Sequence, residues 1–266
     1  MCMYDLLMDK DYDYINTLST ASYWNDEEEE KKKAWDVRDG DFEKLEEYLR
    51  EIHLSNDLNK CLERSGLIDR ENLVGVELAG GVCWTAPLLF KLLDIKTMNY
   101  VEFSYHRIAK IAPILLEHYN IPPDRVKLIY GSFYDVPLHD KSMDFVILSQ
   151  AMHHASEIER LLKEIDRIIR KDGVIVIIGE PIIGKNEIQK AHRDIIKDIL
   201  CFKWNSPRIK LFMQNGCLGD DSEDEKVMGD RYYSLRSYNK MLNKHKYKNI
   251  YFDDSNNSFS FVCRKM

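Results

Sequence analysis

The sequence predicts a doubly wound α/β fold around a mostly parallel sheet, and three observations carry that prediction. First, five short apolar, β-branched runs recur along the chain: LVGVEL (73–78), MNYVEF (98–103), VKLIY (126–130), FVILSQ (145–150) and VIVIIGE (174–180). Second, helical stretches at 86–93, 104–119 and 156–170 alternate with them. Near-continuous apolar strands separated by helices form a parallel sheet covered on both faces. Third, NIYFDD (249–254) and SFSFVCRK (258–265) flank the turn DDSNN, which reads as a hairpin at the sheet edge. The count is seven strands, and right-handed crossovers would gather ligand-binding groups at the strand carboxyl ends.

The elements flanking this core follow from local pattern. Residues 1–72 read as an N-terminal helical cap. Phe42, Leu45, Leu49 and Ile52, then Leu54, Leu58 and Leu62, recur at helical spacing. Ser55 suits an N-cap and Gly66 a helix end. NDEEEEKKKAW (25–35) places acids ahead of lysines, as a solvated helix face does. The core itself spans 73–183. Residues 184–233 break the strand–helix rhythm and are too long for a simple connection, so they read as a helical lid insert with a helix at 187–201. Residues 234–266 supply a last helix (234–245) and the hairpin that completes the sheet.

Bulk composition narrows the function classes. At 266 residues, with 44% hydrophobic and 31% charged content, the chain can bury a substantial core. A net charge of −7 argues against a nucleic-acid partner, which favours basic proteins. The six cysteines form no C-x-x-C pair and no zinc-like spacing, which suits reduced thiols, a cytoplasmic location and no metal site. No uncharged stretch is long enough to span a bilayer, and Met1–Lys10, lacking a basic stretch followed by an apolar run, leads to the expectation of no signal peptide. On composition, no nucleic-acid partner and no membrane are expected; a homodimer is allowed.

The chemistry-bearing residues fall at strand ends. Glu77 ends the first strand, and Ala79, Gly80 and Gly81 form a turn that lets a ligand approach the backbone. Thr85 suits a cap for the next helix and Pro87 its first turn. The spacing is not G-x-G-x-x-G, which counts against a dinucleotide. Glu102, with Phe103 beside it, ends the second strand, where a carboxylate can accept from both ribose hydroxyls. Ser132 and Phe133 follow the third strand, at the place for an adenine edge. Ser149 and Gln150 end the fourth, and His153 and His154 come next. Glu180 ends the fifth before Pro181. Together these groups suit a nucleoside with a charged amino-acid tail. For each residue the bland alternative stays open: an ordinary turn, a solvated acid, a packed histidine.

These residues resemble a known family. The stretch 73–181 is similar to the class I S-adenosylmethionine-dependent methyltransferases of the type 11, small-molecule group, whose fold is a Rossmann-like, seven-stranded sheet. Glu77-Leu-Ala-Gly-Gly-Val-Cys occupies the place of the family's acid-x-Gly-x-Gly-x-Gly loop, and Glu102 that of its ribose-binding acid. MDFVILSQAMHH and LLKEIDRIIRKDGVIVIIGEP match its fourth- and fifth-strand blocks. Three positions depart from the pattern: Ala79 replaces the first glycine, Cys83 the last, and Ser132 the adenine-facing acid.

The resemblance implies S-adenosyl-L-methionine as cofactor and in-line methyl transfer to a small-molecule O or N acceptor. The implied cofactor contacts are Glu77, Ala79, Gly80, Gly81, Glu102, Phe103, Ser132, Phe133, Ser149 and Gln150. A hydroxyl acceptor needs a base, with His154 first, then His153 and Glu180; an amine or thiol needs none. Tyr14, Tyr23, Trp24, His192, Trp204 and Tyr232 are expected to wall an acceptor pocket between cap and insert. The rival readings are a non-catalytic protein that binds S-adenosylmethionine or S-adenosylhomocysteine, a nucleotide-sugar or nicotinamide enzyme, and an RNA or protein methyltransferase. The last is disfavoured because SQAMHH stands where an N/D-P-P-Y-type tetrapeptide would be.

Overall fold

In a computed structural model, residues 4–8, 26–182, 185–204, 206, 209, 212–213, 231–256 and 258–266 are described. All seven strands read from the sequence are present: β2 (Leu73–Leu78), β3 (Ile95–Glu102), β4 (Val126–Tyr130), β5 (Met143–Ser149), β6 (Ile169–Pro181), β7 (Tyr247–Asp253) and β8 (Ser258–Lys265). An eighth, β1 (Asp5–Met8), was not anticipated. It pairs in parallel with β4 from Asp5↔Lys127 to Met8↔Tyr130. The expectation of an all-helical 1–72 is corrected accordingly. Four residues, DLLM, carry too little pattern to announce a strand; pairing and the burial of Tyr4, whose hydroxyl donates to Ile121 O at 2.7 Å, hold it in place.

The sheet order is β1-β4-β3-β2-β5-β6-β8-β7. Every neighbouring pair is parallel except β6–β8 and β7–β8, which are antiparallel. From β2 the chain winds outward through β3 and β4, then returns to β5 on the other side of β2. The carboxyl ends of β2 and β5 thus flank the topological switch point, where open sheets of this kind bind ligands.

Helices cover both faces. On one lie α3 (Leu54–Ser65), α4 (Ala86–Leu92) and α5 (Ala112–His118), burying Leu58, Leu62, Leu89 and Leu116. On the other lie α6 (Ile158–Ile168) and α8 (Leu235–Lys244), burying Leu161, Ile165, Tyr238 and Leu242. The recurrence of Ile158, Leu161, Leu162, Ile165 and Ile168 is a helical apolar stripe, and all five are fully buried. Within the sheet, Gly75 is needed because a Cβ there would come 2.1 Å from Phe145 Cζ.

Several local expectations change. The expected helix 104–119 begins as a π-helical turn, His106–Ile111, before α5. Such turns are frequent at functional sites. β6 starts at Ile169, earlier than expected, and pairing jumps from Met143↔Ile169 to Phe145↔Val174, so Arg170–Gly173 form a bulge. α3 begins after His53, not Ser55, and Gly66 closes it at φ 71°. Thr85 precedes α4 but makes no capping bond. The acidic run is helical only as α1 (Glu27–Glu30), followed later by α2 (Phe42–Glu51). Its Glu30 is buried, not a solvated face residue. In the insert, α7 spans Lys185–Leu200. No described helix is long and apolar enough to cross a membrane.

Candidate active site

The turn after β2 is tight and partly strained. Ala79 and Cys83 sit at φ 57° and 63°, and Gly81 at 54°. The left-handed region is costly for residues with a Cβ. The backbone conformation is therefore the glycine-rich one even where glycine is absent. Gly80 N donates to Val101 O at 3.0 Å, and Cys83 N to Gly80 O at 2.8 Å. Space opposite Gly81 is open, so a ligand can lie against the backbone there.

Glu102 ties this turn to the end of β3. Its Oε2 accepts from Gly81 N and its Oε1 from Ser104 N, both at 2.7 Å. Burial pushes its pKa up, opposed by the Arg107 charge and by the backbone donors. A carboxylate offers about four lone-pair sites, so acceptor capacity remains for hydroxyl donors.

Glu77 is fully buried beneath the turn. The Thr85 hydroxyl, which fails to cap α4, donates to its Oε2 instead. Oε1 has no hydrogen-bond partner among the described residues. Burial, with a smaller push from the Glu102 charge and against the Thr85 bond, raises its pKa to about 8. On the neighbouring strand, at the end of β5, Ser149 Oγ is also buried without a partner among the described residues. Two such groups at neighbouring strand ends are what a polar ligand would satisfy. Gln150 follows at φ 48°, with its N–H donating to Ile178 O at 2.9 Å.

Phe103 is half-buried against the β3–β4 side of the core. Ser132 Oγ accepts from Tyr134 N at 3.2 Å, and the Phe133 ring meets Tyr134 edge-on with centroids 4.6 Å apart. The sequence-predicted groups thus follow the carboxyl ends of β2, β3, β4 and β5, which are consecutive neighbours in the sheet.

The expected acid–base residues separate into two kinds. Glu180 has no exposed surface. Its Oε1 accepts from Ala151 N at 3.2 Å and Met152 N at 2.9 Å; its Oε2 meets His153 Nδ1 at 3.2 Å and the Tyr238 hydroxyl at 2.7 Å. Burial pushes its pKa up, but His153, Tyr238 and the Met152 N–H outweigh this and hold it below the ordinary value. An enclosed carboxylate saturated with donors positions its neighbours, so the expectation of acid–base work for Glu180 is corrected. An ionised carboxylate only accepts, so His153 Nδ1 carries the proton. His153 is buried; His154 is half-buried, its ring centroid 4.1 Å from that of His153.

The expected aromatic pocket wall is described only in part. Tyr14, Tyr23 and Trp24 lie outside the described residues. Trp204 is 58% exposed, and the His192 ring meets Phe212 edge-on at 5.7 Å within the insert. Tyr232 is half-buried beside Arg231, whose N–H donates to His153 O at 2.9 Å. A cavity near the strand ends is instead lined by Glu51, His53, Gln150, Gly179, Asn256 and Ser258, together with Ile52, Leu54, Pro181 and Ser255. Sequence reading missed Glu51 and His53. The signal was the His53-Leu54 junction between two helical patterns, where the chain must turn. Among the described residues, no group of three His, Cys, Asp or Glu side chains is arranged to hold a metal ion.

Residues 76–177 match the family model described as Methyltransferase domain. No curated protein matches the chain in sequence. Solved structures with the same fold include an S-adenosylmethionine-dependent methyltransferase from Aquifex aeolicus, with TM-score 0.54 and 14% identity over 78% of this chain and 89% of that one. A chain in the complex between the Haloferax volcanii Trm112 methyltransferase activator and its methyltransferase has TM-score 0.58 and 14% identity, over 86% and 96%. A methyltransferase from Methanosarcina mazei has TM-score 0.52 and 13% identity, over 74% and 94%. The matched segment runs from β2 into β6, and the chain shares the Rossmann-like methyltransferase fold of these solved structures.

Proposed function

We propose that the protein transfers a methyl group from S-adenosylmethionine to a small-molecule O or N acceptor. The observation that carries this reading is Glu102 bridging Gly81 and Ser104 at the switch-point crevice. It couples the turn after β2 to the end of β3, the two places where a nucleoside and its amino-acid tail would meet the chain. When bound, the cofactor supplies an electrophilic methyl carbon on a sulfonium sulfur.

The residues fit such a ligand. Glu102 would accept from the ribose hydroxyls. The Ala79–Gly81 backbone and the unpaired Glu77 and Ser149 oxygens would meet the amino-acid tail. Phe103, Ser132 and Phe133 would border the base. The chain's own part in catalysis is to align the two reactants and exclude water, which needs no covalent step. For a hydroxyl acceptor, His154 is the better base, because His153 is buried and oriented by Glu180.

The test is calorimetric titration with S-adenosylmethionine and S-adenosylhomocysteine, wild type beside Glu102→Ala. Micromolar binding that weakens at least tenfold in the variant is expected. No binding of either ligand to the wild type would overturn the proposal.

A further inference from the structure

We infer that the cavity between the α2–α3 turn and the carboxyl ends of β5 and β6 holds the methyl acceptor, and that this acceptor is a small aliphatic amine. The inference rests on the methyltransferase reading above and narrows it. The cavity measures about 490 Å³, room for a small organic molecule, and opens to solvent at Glu51, His53, Gln150 and Ser255. Four separate parts of the chain build it: Glu51 and His53 from the turn, Gln150 after β5, Gly179 near the end of β6, and Asn256 and Ser258 from the β7–β8 hairpin.

The backbone around it is held in unusual conformations. His53, Gln150 and Gly179 all have positive φ, at 63°, 48° and 71°. Strain of this kind collects where a site must be kept in shape. At Gly179 a Cβ would lie 2.5 Å from Leu54 Cδ2 and 2.8 Å from Gln150 Cγ. Only glycine lets the start of α3 and Gln150 close over the end of β6. Gln150 directly follows Ser149, so the cavity adjoins the crevice assigned to the cofactor.

The lining chemistry selects the ligand. Among the described residues no Phe, Tyr or Trp lines the cavity, so a phenolic ring finds no stacking partner. No Lys or Arg lines it either, and Glu51 supplies the one carboxylate. An anion is disfavoured and an ammonium favoured. Asn256 Nδ2 donates to the buried Asp57 Oδ1 at 2.7 Å, which turns the Asn256 amide oxygen into the acceptor left for a ligand. Ser258 Oγ is a buried atom without a partner among the described residues. An amine reacts only through its lone pair, so the bound ammonium must first lose a proton. His53, on the same wall of the cavity as Glu51, takes that proton. The lone pair then forms the nitrogen–carbon bond, and the electron pair of the broken carbon–sulfur bond stays on sulfur.

The test is saturation-transfer NMR on the full chain saturated with S-adenosylhomocysteine, using ethanolamine, glycerol and phenol as separate probes. Ethanolamine should give the strongest transfer. Ser255→Trp, which fills the cavity from its exposed rim, should abolish it, and Glu51→Gln should weaken ethanolamine at least tenfold. S-adenosylhomocysteine affinity, measured by calorimetry, should stay unchanged in both variants and so report an intact fold. If Ser255→Trp loses that affinity, Glu51→Gln decides alone. Preferred binding of phenol, or ethanolamine binding that survives the variants, overturns the inference. Cofactor binding without ethanolamine binding overturns it while leaving the methyltransferase reading standing. No S-adenosylhomocysteine binding overturns both.

Discussion

His153 Nδ1 lies 3.2 Å from Glu180 Oε2, and the same oxygen takes the Tyr238 hydroxyl at 2.7 Å. This buried knot joins the end of β6, the turn after β5 and helix α8. It fixes the loop on which His154 stands. Glu180→Gln replaces two acceptor oxygens with one oxygen and an NH₂ group that faces donors. Breaking one side of a buried charged network costs about 3–5 kcal/mol. A fall in the urea unfolding free energy of that order is expected. A variant as stable as the wild type would show that the knot contributes nothing.

Glu77 should make stability fall with rising pH. Its folded pKa of about 8 lies above the ordinary 4.5, because burial disfavours the charged form. Between these values the unfolded chain releases the proton that the folded chain keeps. The stabilising contribution is therefore complete below about 4.5 and drains away as pH climbs to about 8, at a limiting slope of about 1.4 kcal/mol per pH unit. Glu180 runs the other way: its lowered pKa gives stability above 4.5 that is lost on acidification through its folded value. Glu77→Gln, a neutral side chain of the same shape, should flatten the slope from pH 5 to 8 and raise Tm at pH 8. Scanning calorimetry across that range decides it, and an unchanged slope would rule Glu77 out as its source.

Ala79 and Cys83 hold left-handed conformations at φ 57° and 63°. The penalty for a Cβ there is about 1–2 kcal/mol per residue, partly offset by the extra freedom glycine gains in the unfolded chain, about 0.4–1 kcal/mol. Ala79→Gly should therefore stabilise the protein by about 0.5–1 kcal/mol without weakening S-adenosylhomocysteine binding. Loss of stability on chemical unfolding would mean that the methyl group contributes packing that outweighs the strain.

The parallel core was legible because each buried strand is a continuous apolar run and each helix shows its stripe, as in Ile158 to Ile168. Strand ends were legible for the same reason, which is why Glu77, Glu102, Ser149 and Glu180 could be placed. The roles of buried acids were not, because they depend on partners distant in sequence. Glu180 was read as a reacting acid, yet its donors include Tyr238, 58 residues away. The acidic run at 25–35 looked solvated, yet Glu30 is buried by Arg107, 77 residues away. β1 escaped because four residues carry no periodicity. The cavity escaped because its walls come from 51–54, 150, 179–181 and 255–258, segments with no common motif.

The Glu30–Arg107 contact yields the last prediction, since it links the cap to the crevice. Arg107 Nε and Nη2 donate to the two Glu30 oxygens at 2.8 and 2.7 Å, and the Trp35 indole N–H donates to Glu30 at 2.9 Å. The guanidinium also stacks over the Trp35 ring, 4.8 Å from its centroid. Lysine cannot reproduce a bidentate, stacked contact. Arg107→Lys should loosen residues 26–40, read as faster amide hydrogen exchange there. Arg107 is also the largest influence lowering the Glu102 pKa against burial. Arg107→Met removes that charge, so Glu102 should protonate at a higher pH. The acid limb of S-adenosylhomocysteine binding should then move upward in Arg107→Met and much less in Arg107→Lys, which keeps the charge. Identical pH profiles for the two variants would separate the clamp from the crevice and leave Arg107 a purely structural residue.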